Sequence, residues 1–109
     1  MANTENIEAP PLIRLSAQDN VAVATAGTEA GAIVTIAGLE PIRVLNRISI
    51  GHKVAIRAIS SGEKILKFGF PIGSATQNIA PGEHVHTHNL KSDYLPTFTL
   101  DPDRKFVKG

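Results

Sequence analysis

The chain has 109 residues, of which 42% are hydrophobic and 19% charged, with a net charge of +1 and no cysteine. That describes one ordinary globular domain, with enough chain for a single modest core. The charge balance gives no case for nucleic acid or an anionic membrane, and the missing thiols exclude disulfides, thiolate metal sites and a cysteine nucleophile.

No apolar run approaches the roughly 20 residues of a membrane-spanning helix, and residues 1–8 lack the basic and apolar regions of a secretory leader. A cytoplasmic location is therefore expected. Residues 1–11 are polar and end in Pro10-Pro11, which predicts a flexible N-terminal tail.

Leu12-Ile13-Arg14-Leu15 predicts a first strand, Ser16 to Asn20 a turn, and Val21-Ala22-Val23-Ala24-Thr25 a second strand with β-branched residues at alternate positions. Asp19-Asn20 fits either a turn capping that strand or a ligand contact. Ala32-Ile33-Val34-Thr35-Ile36 is strand-like. The segment from Ile42 to Ile50 reads as two extended pieces with a bend near Asn46. Gly51 breaks the chain just before His52, and Lys53 to Ile59 suits a strand or one helical turn. Ile65 to Lys67 is a strand stopped by Gly69, and Pro71-Ile72-Gly73 predicts a turn. Gly62-Glu63 and Gly82-Glu83 stand at the mouths of similar segments, too faint an echo to be read as a repeat. Glycine or proline at nearly every junction, with no sustained 3.6-residue period, predicts a compact all-β domain over residues 12–92. Residues 93–109 are expected to form a C-terminal arm, with Leu95, Phe98, Leu100 and Phe106 available to dock on a partner.

The chemistry concentrates in His84-Val85-His86-Thr87-His88. On a strand these imidazoles would share one face, leaving Val85 and Thr87 for the core. Same-face neighbours on a strand are about 6.6 Å apart, so His84 and His88 would stand about 13 Å apart. With metal–imidazole bonds of about 2 Å, one metal then takes two of the row, and a third ligand must come from His52, a carboxylate, water or another chain. Gly51-His52-Lys53 is a second polar break. Lys53 suits a substrate carboxylate or, desolvated, a base. Convergence of His52 with His86 is expected, since closing a longer loop costs only logarithmically more.

With those residues in view, the chain resembles the altronate/galactarate dehydratase family, at its N-terminal SAF (antifreeze-like) domain. The resemblance rests on Asp19-Asn20-Val21-Ala22-Val23-Ala24, on Ile50-Gly51-His52-Lys53-Val54-Ala55-Ile56, on Lys67-Phe68-Gly69 with Ile72-Gly73-Ser74-Ala75-Thr76, and on Gly82 through Leu90. It spans about residues 12–92; Phe68 stands where the family usually has Tyr. The resemblance implies a β-clip fold and metal-assisted elimination from a hydroxy acid: an aldonate, an aldarate or sulfolactate. It implies a small subunit, inactive alone, whose site is completed by a large dehydratase-like subunit. It implies a shared divalent metal, iron or manganese. Under that reading His52, Lys53 and His86 are catalytic, Asp19, Asn20, His84 and Asn89 bind substrate, and His86 and His88 hold the metal. The competing reading is a non-catalytic SAF module that binds a sugar acid or a protein. Homo-oligomerisation is left open by both.

Overall fold

The computed structural model describes residues 11–93, which form short antiparallel strands and turns without a helix. The strands are β1 (Leu12–Ile13), β2 (Val21–Ala24), β3 (Ile33–Val34), β4 (Ile42–Arg43), β5 (Lys53–Ala55), β6 (Lys64–Lys67), β7 (Phe70–Ala75), β8 (His84–Val85) and β9 (Leu90–Lys91). They make a four-stranded sheet in the order β1-β2-β5-β8, a β3-β4 ribbon and a β6-β7-β9 sheet. The expected all-β SAF domain of many short strands is what the chain forms.

Behind that faint echo lies a structural repeat displaced by 31 residues, which relates Gly31 to Gly62 and Gly51 to Gly82 and not Gly62 to Gly82. The pairs Ile33↔Arg43 and Val34↔Ile42 recur as Lys64↔Ser74 and Ile65↔Gly73. The pairs Ala22↔Val54 and Val23↔Lys53 recur as Lys53↔Val85 and Val54↔His84. The bridge Thr28↔Ile48 recurs as Ile59↔Ile79. Two apolar cores follow the same rule. Ala24, Val34, Val44, Ile48 and Val54 belong to one; Ala55, Ile65, Ala75, Ile79 and Val85 occupy the equivalent places in the other. Successive β5 residues, Val54 and Ala55, feed different cores because side chains alternate across a strand. The four-stranded sheet is therefore shared between two small lobes. Each core is too small to stand alone, and the sheet between them lets each stabilise the other.

Each strand-opening turn carries a glycine at positive φ: Gly31, Gly51, Gly62 and Gly82 lie between 84° and 90°. Each turn closes by an i to i+3 backbone bond, such as Glu83 N–H to the Ala80 carbonyl at 3.1 Å and His52 N–H to the Ser49 carbonyl at 3.0 Å. The sequence conceals this repeat because what must be kept is a glycine and an apolar pattern, not particular side chains.

Two sequence expectations are corrected. Pro71-Ile72-Gly73 is not a turn but part of β7. The register jumps there, from Ile65↔Gly73 to Leu66↔Pro71, so Ile72 is the extra residue of a bulge. A bulge is where a strand tolerates a proline that cannot donate to the ladder. The histidine strand is also shorter than expected. It ends at Val85, and residues 86–89 form a turn, so Val85 is fully buried but Thr87 is exposed. The N-terminal tail over residues 1–10 and nearly all of the proposed C-terminal arm lie outside the described residues.

The glycine turns separate two costs. A Cβ at Gly62 would meet nothing, leaving only the left-handed backbone penalty, whereas one at Gly82 would collide with the Arg43 carbonyl. Gly62→Ala should cost about 1–2 kcal/mol. Gly82→Ala should cost about 3 kcal/mol or more. Urea unfolding midpoints check both, and equal losses would contradict the packing described.

Candidate metal centre on the β5–β8 edge

The antiparallel pairing of β5 with β8 sets Lys53 against Val85 and Val54 against His84. Continued by one residue, that register places His52 opposite His86. Cross-strand neighbours are the closest side chains on a sheet, and the two rings stack with centroids 4.7 Å apart. His84 completes the group: its Nε2 lies 3.0 Å from Nδ1 of His52, and its ring stacks on His86 at 5.5 Å. The expected convergence of the Gly-His-Lys segment with the histidine row is therefore present, across 32 residues of chain.

The turn after Val85 changes which histidines can act together. Asn89, fully buried, donates from Nδ2 to the His84 carbonyl at 2.8 Å and accepts the His86 N–H at Oδ1 at 2.9 Å. This folds the chain back at once, so the His84 and His88 rings are 5.5 Å apart, not at the span of an extended strand. Asn46, which sequence reasoning marked only as a bend, accepts the His84 N–H at 3.0 Å. Nothing in its sequence context distinguishes it from an ordinary turn asparagine.

Asp19 and Asn20 lie buried elsewhere, with their polar atoms engaged by backbone. Asp19 accepts the N–H groups of Ser16, Phe68 and Gly69 at 2.8–3.0 Å. Phe68 has a φ of 56°, a conformation that is costly for a bulky residue, and Asp19 pins the hairpin tip in it. Asn20 donates to the Lys64 carbonyl and accepts the Leu66 N–H, both at 2.8 Å. The geometry makes Asp19, Asn20 and Asn89 clamps between backbone segments.

The charged groups acting on the imidazoles are all basic. Partial burial, then the charges of His52, His88, His86 and Lys53, holds the His84 pKa below its usual value. His86 is exposed, yet loss of water among the neighbouring rings, then His52, Lys53 and His88, lowers it in the same direction. Lys53 is lowered by burial first and by the Lys67 ammonium second. Lys67, not anticipated from sequence, thus stands near enough to act on Lys53. Neutral imidazoles are what a metal requires. The ligand atoms of His52, His84 and His86 all lie within 4.8 Å of one another. Two nitrogens at about 2.0–2.1 Å from a tetrahedral ion stand about 3.3 Å apart, close to the His52–His84 separation. The three residues therefore fit a divalent ion. His88 is outside that set.

Among the described residues two open grooves, of about 370 and 440 Å³, run beside Leu12, Leu15 and Ile36 and beside Leu39, Ile42 and Pro81, with no histidine in either. The imidazole group stands on the sheet edge, outside both grooves.

Depressed pKa values have a definite consequence for stability. Below the ordinary value of 6.5, unfolded chain binds protons more readily than the folded His84 and His86. Stability should be full above that pH and fall as pH drops through the lower folded values. Thermal melts of the metal-free chain should show a lower Tm at pH 5.5 than at pH 7.5, with the difference reduced in His84→Gln. An unchanged Tm would contradict the assignment. Asn89→Ala should cost about 2 kcal/mol, by stranding the buried groups it joins, as measured by urea unfolding.

Residues 10–93 match the family described as altronate/galactarate dehydratase SAF domain. The chain is 38% identical over 98 residues to an altronate dehydratase of Bacillus subtilis, covering 83% of this chain and 20% of that protein. It is 37% identical over 93 residues to an altronate dehydratase of Escherichia coli, covering 84% and 19%. It is 40% identical over 75 residues to the (2R)-sulfolactate sulfo-lyase subunit alpha of Chromohalobacter salexigens, covering 64% and 80%. The chain thus spans about a fifth of the dehydratases it matches and most of the sulfo-lyase subunit. With its two-lobed all-β fold and its histidine turn, the chain belongs to the altronate/galactarate dehydratase SAF-domain family.

Proposed function

We propose that this chain is the small component of a metal-dependent hydroxy-acid lyase, contributing its histidine edge to a site completed by a large dehydratase-like partner. The observation that carries this reading is an imidazole cluster within 4.8 Å that lies on a sheet edge, outside both grooves of the described residues. A catalytic pocket normally buries most of its ligand, so the remaining walls must come from elsewhere. The family supports the same view. One relative matched over most of its length is named as a subunit, and the dehydratases carry about four-fifths of their length outside the match.

The reaction is elimination from an aldonate, an aldarate or sulfolactate. A base removes the proton α to the carboxylate, the enediolate is stabilised, and the β substituent leaves with the help of an acid. A divalent ion held by the imidazoles would supply Lewis acidity toward the carboxylate and the developing enediolate. Lys53 is the proton acceptor in this scheme, because burial and Lys67 favour its neutral amine. Lys67, which acts on Lys53, adds to the positive potential that attracts a substrate anion. His52 and His86 hold the geometry around the reacting carbon, and the partner supplies the acid. Asp19, Asn20 and Asn89 act by fixing the backbone on which those groups stand.

The test is co-expression with a large dehydratase-like subunit and assay of aldonates, aldarates and sulfolactate for 2-keto-acid formation. The 109-residue chain alone should give no turnover with any metal. The complex should turn over one of these acids, and His52→Ala and His86→Ala should each reduce kcat by about 10³-fold or more with the fold intact by circular dichroism. Robust turnover by the isolated chain would refute the dependence on a partner, and full activity in both variants would leave the histidine edge as a binding face only, the non-catalytic SAF reading.

A further inference from the structure

The expectation from the sequence was a metal shared between chains, with His86 and His88 as this chain's contribution. The geometry points to a different division. We propose that His52, His84 and His86 form a complete three-imidazole site, so that this chain binds one transition-metal ion by itself, without His88 and without a ligand from the partner.

Three observations carry it. The ligand atoms of these residues already lie within 4.8 Å of one another, so binding needs small side-chain adjustments only. Each residue is fixed by the fold. His52 follows the Gly51 turn, closed by its own N–H on the Ser49 carbonyl at 3.0 Å. The N–H of His84 is held by Asn46, and that of His86 by Asn89. Backbone anchoring at all three positions is what keeps a site preorganised when the ion is absent. Finally, the His52–His84 contact at 3.0 Å brings two ring nitrogens together with one proton between them. An ion replaces that single hydrogen bond with two metal bonds, the proton moving to the other nitrogen of its own ring so that both imidazoles stay neutral. His88 meets only the His84 ring among these, at 5.5 Å and tilted by 42°.

The donor set also selects the metal. Imidazole suits zinc, copper, iron and nickel, whereas magnesium, calcium and manganese prefer oxygen ligands. Three neutral ligands leave the ion its whole positive charge, near the Lys53 ammonium. The open coordination positions therefore suit an anionic oxygen ligand such as a carboxylate. This inference shares with the proposed function the view that the imidazole edge is the working face, but it concerns binding alone and stands or falls without any turnover.

The experiment is calorimetric titration of the full-length, metal-free chain with Zn2+, and separately with Mn2+ and Mg2+. A Co2+ absorption spectrum and long-range proton–nitrogen spectra of the imidazoles supply readouts independent of activity. The expected result is one Zn2+ per chain, nitrogen shifts at His52, His84 and His86, and no Mg2+ binding. His52→Ala, His84→Ala and His86→Ala should each weaken Zn2+ by about 100-fold or more, and His88→Ala by less than about threefold. His84→Gln, which keeps a polar side chain of similar reach, serves if the alanine variant unfolds. Failure of the isolated chain to bind Zn2+, or loss through His88→Ala equal to that through His84→Ala, overturns the proposal. If the complex with its partner is nevertheless active and loses activity in His86→Ala, the lyase reading stands while the self-contained site fails.

Discussion

The pairing of β5 with β8 is the constraint on which the site depends. Two residue pairs fix it, Lys53↔Val85 and Val54↔His84. A slip of one residue would turn every side chain to the other face. Val85 would leave its core, and His52 would lose its place opposite His86. Register is strongly specified here because Val54 and Val85 are both fully buried and belong to different cores. The hydrophobic effect thus sets the positions of groups that are not themselves hydrophobic.

The duplication explains why this edge and no other carries the chemistry. β5 is the last strand of one copy and the first of the next, and β8 closes the second copy. Lys53 and Val54 in the second copy take the places of Ala22 and Val23 in the first. The equivalent pairing in the first copy is β2 with β5, where Val21, Lys53 and Ala55 stand at the places of His52, His84 and His86. The second copy has an exposed, polar edge that ends in the Asn89 clamp. A structural duplication has supplied two equivalent frameworks, of which one has been furnished with imidazoles.

Much of this was legible in the sequence. Glycine and proline punctuation between short β-branched runs identified an all-β chain, and the histidine motif with Gly51-His52-Lys53 marked the residues that meet. Convergence followed from the economy of loop closure. What was not legible has physical causes. Asn89 ends the strand through two side-chain bonds to backbone, and neither has a local sequence signal. An extended row was therefore expected, and the sequence did not show that His84, rather than His88, is the one whose ring nitrogen meets His52. Pro71 looked like a turn because a bulge cannot be seen until its partner strand is known. Asp19 and Asn20 carried the marks of a ligand site and of a turn equally. Their partners, at Lys64, Leu66, Phe68 and Gly69, lie more than forty residues away. The 31-residue repeat was hidden because equivalent positions share burial and backbone conformation more than identity.

On the proposed reading, metal and substrate meet at the histidine edge when a large partner closes over it. Anomalous scattering from crystals of the metal-loaded complex tests that most directly. The account predicts an anomalous peak within bonding distance of ring nitrogens from His52, His84 and His86, at the boundary between the two components. A peak held entirely by the partner, with these three imidazoles bonded to no metal, would contradict it.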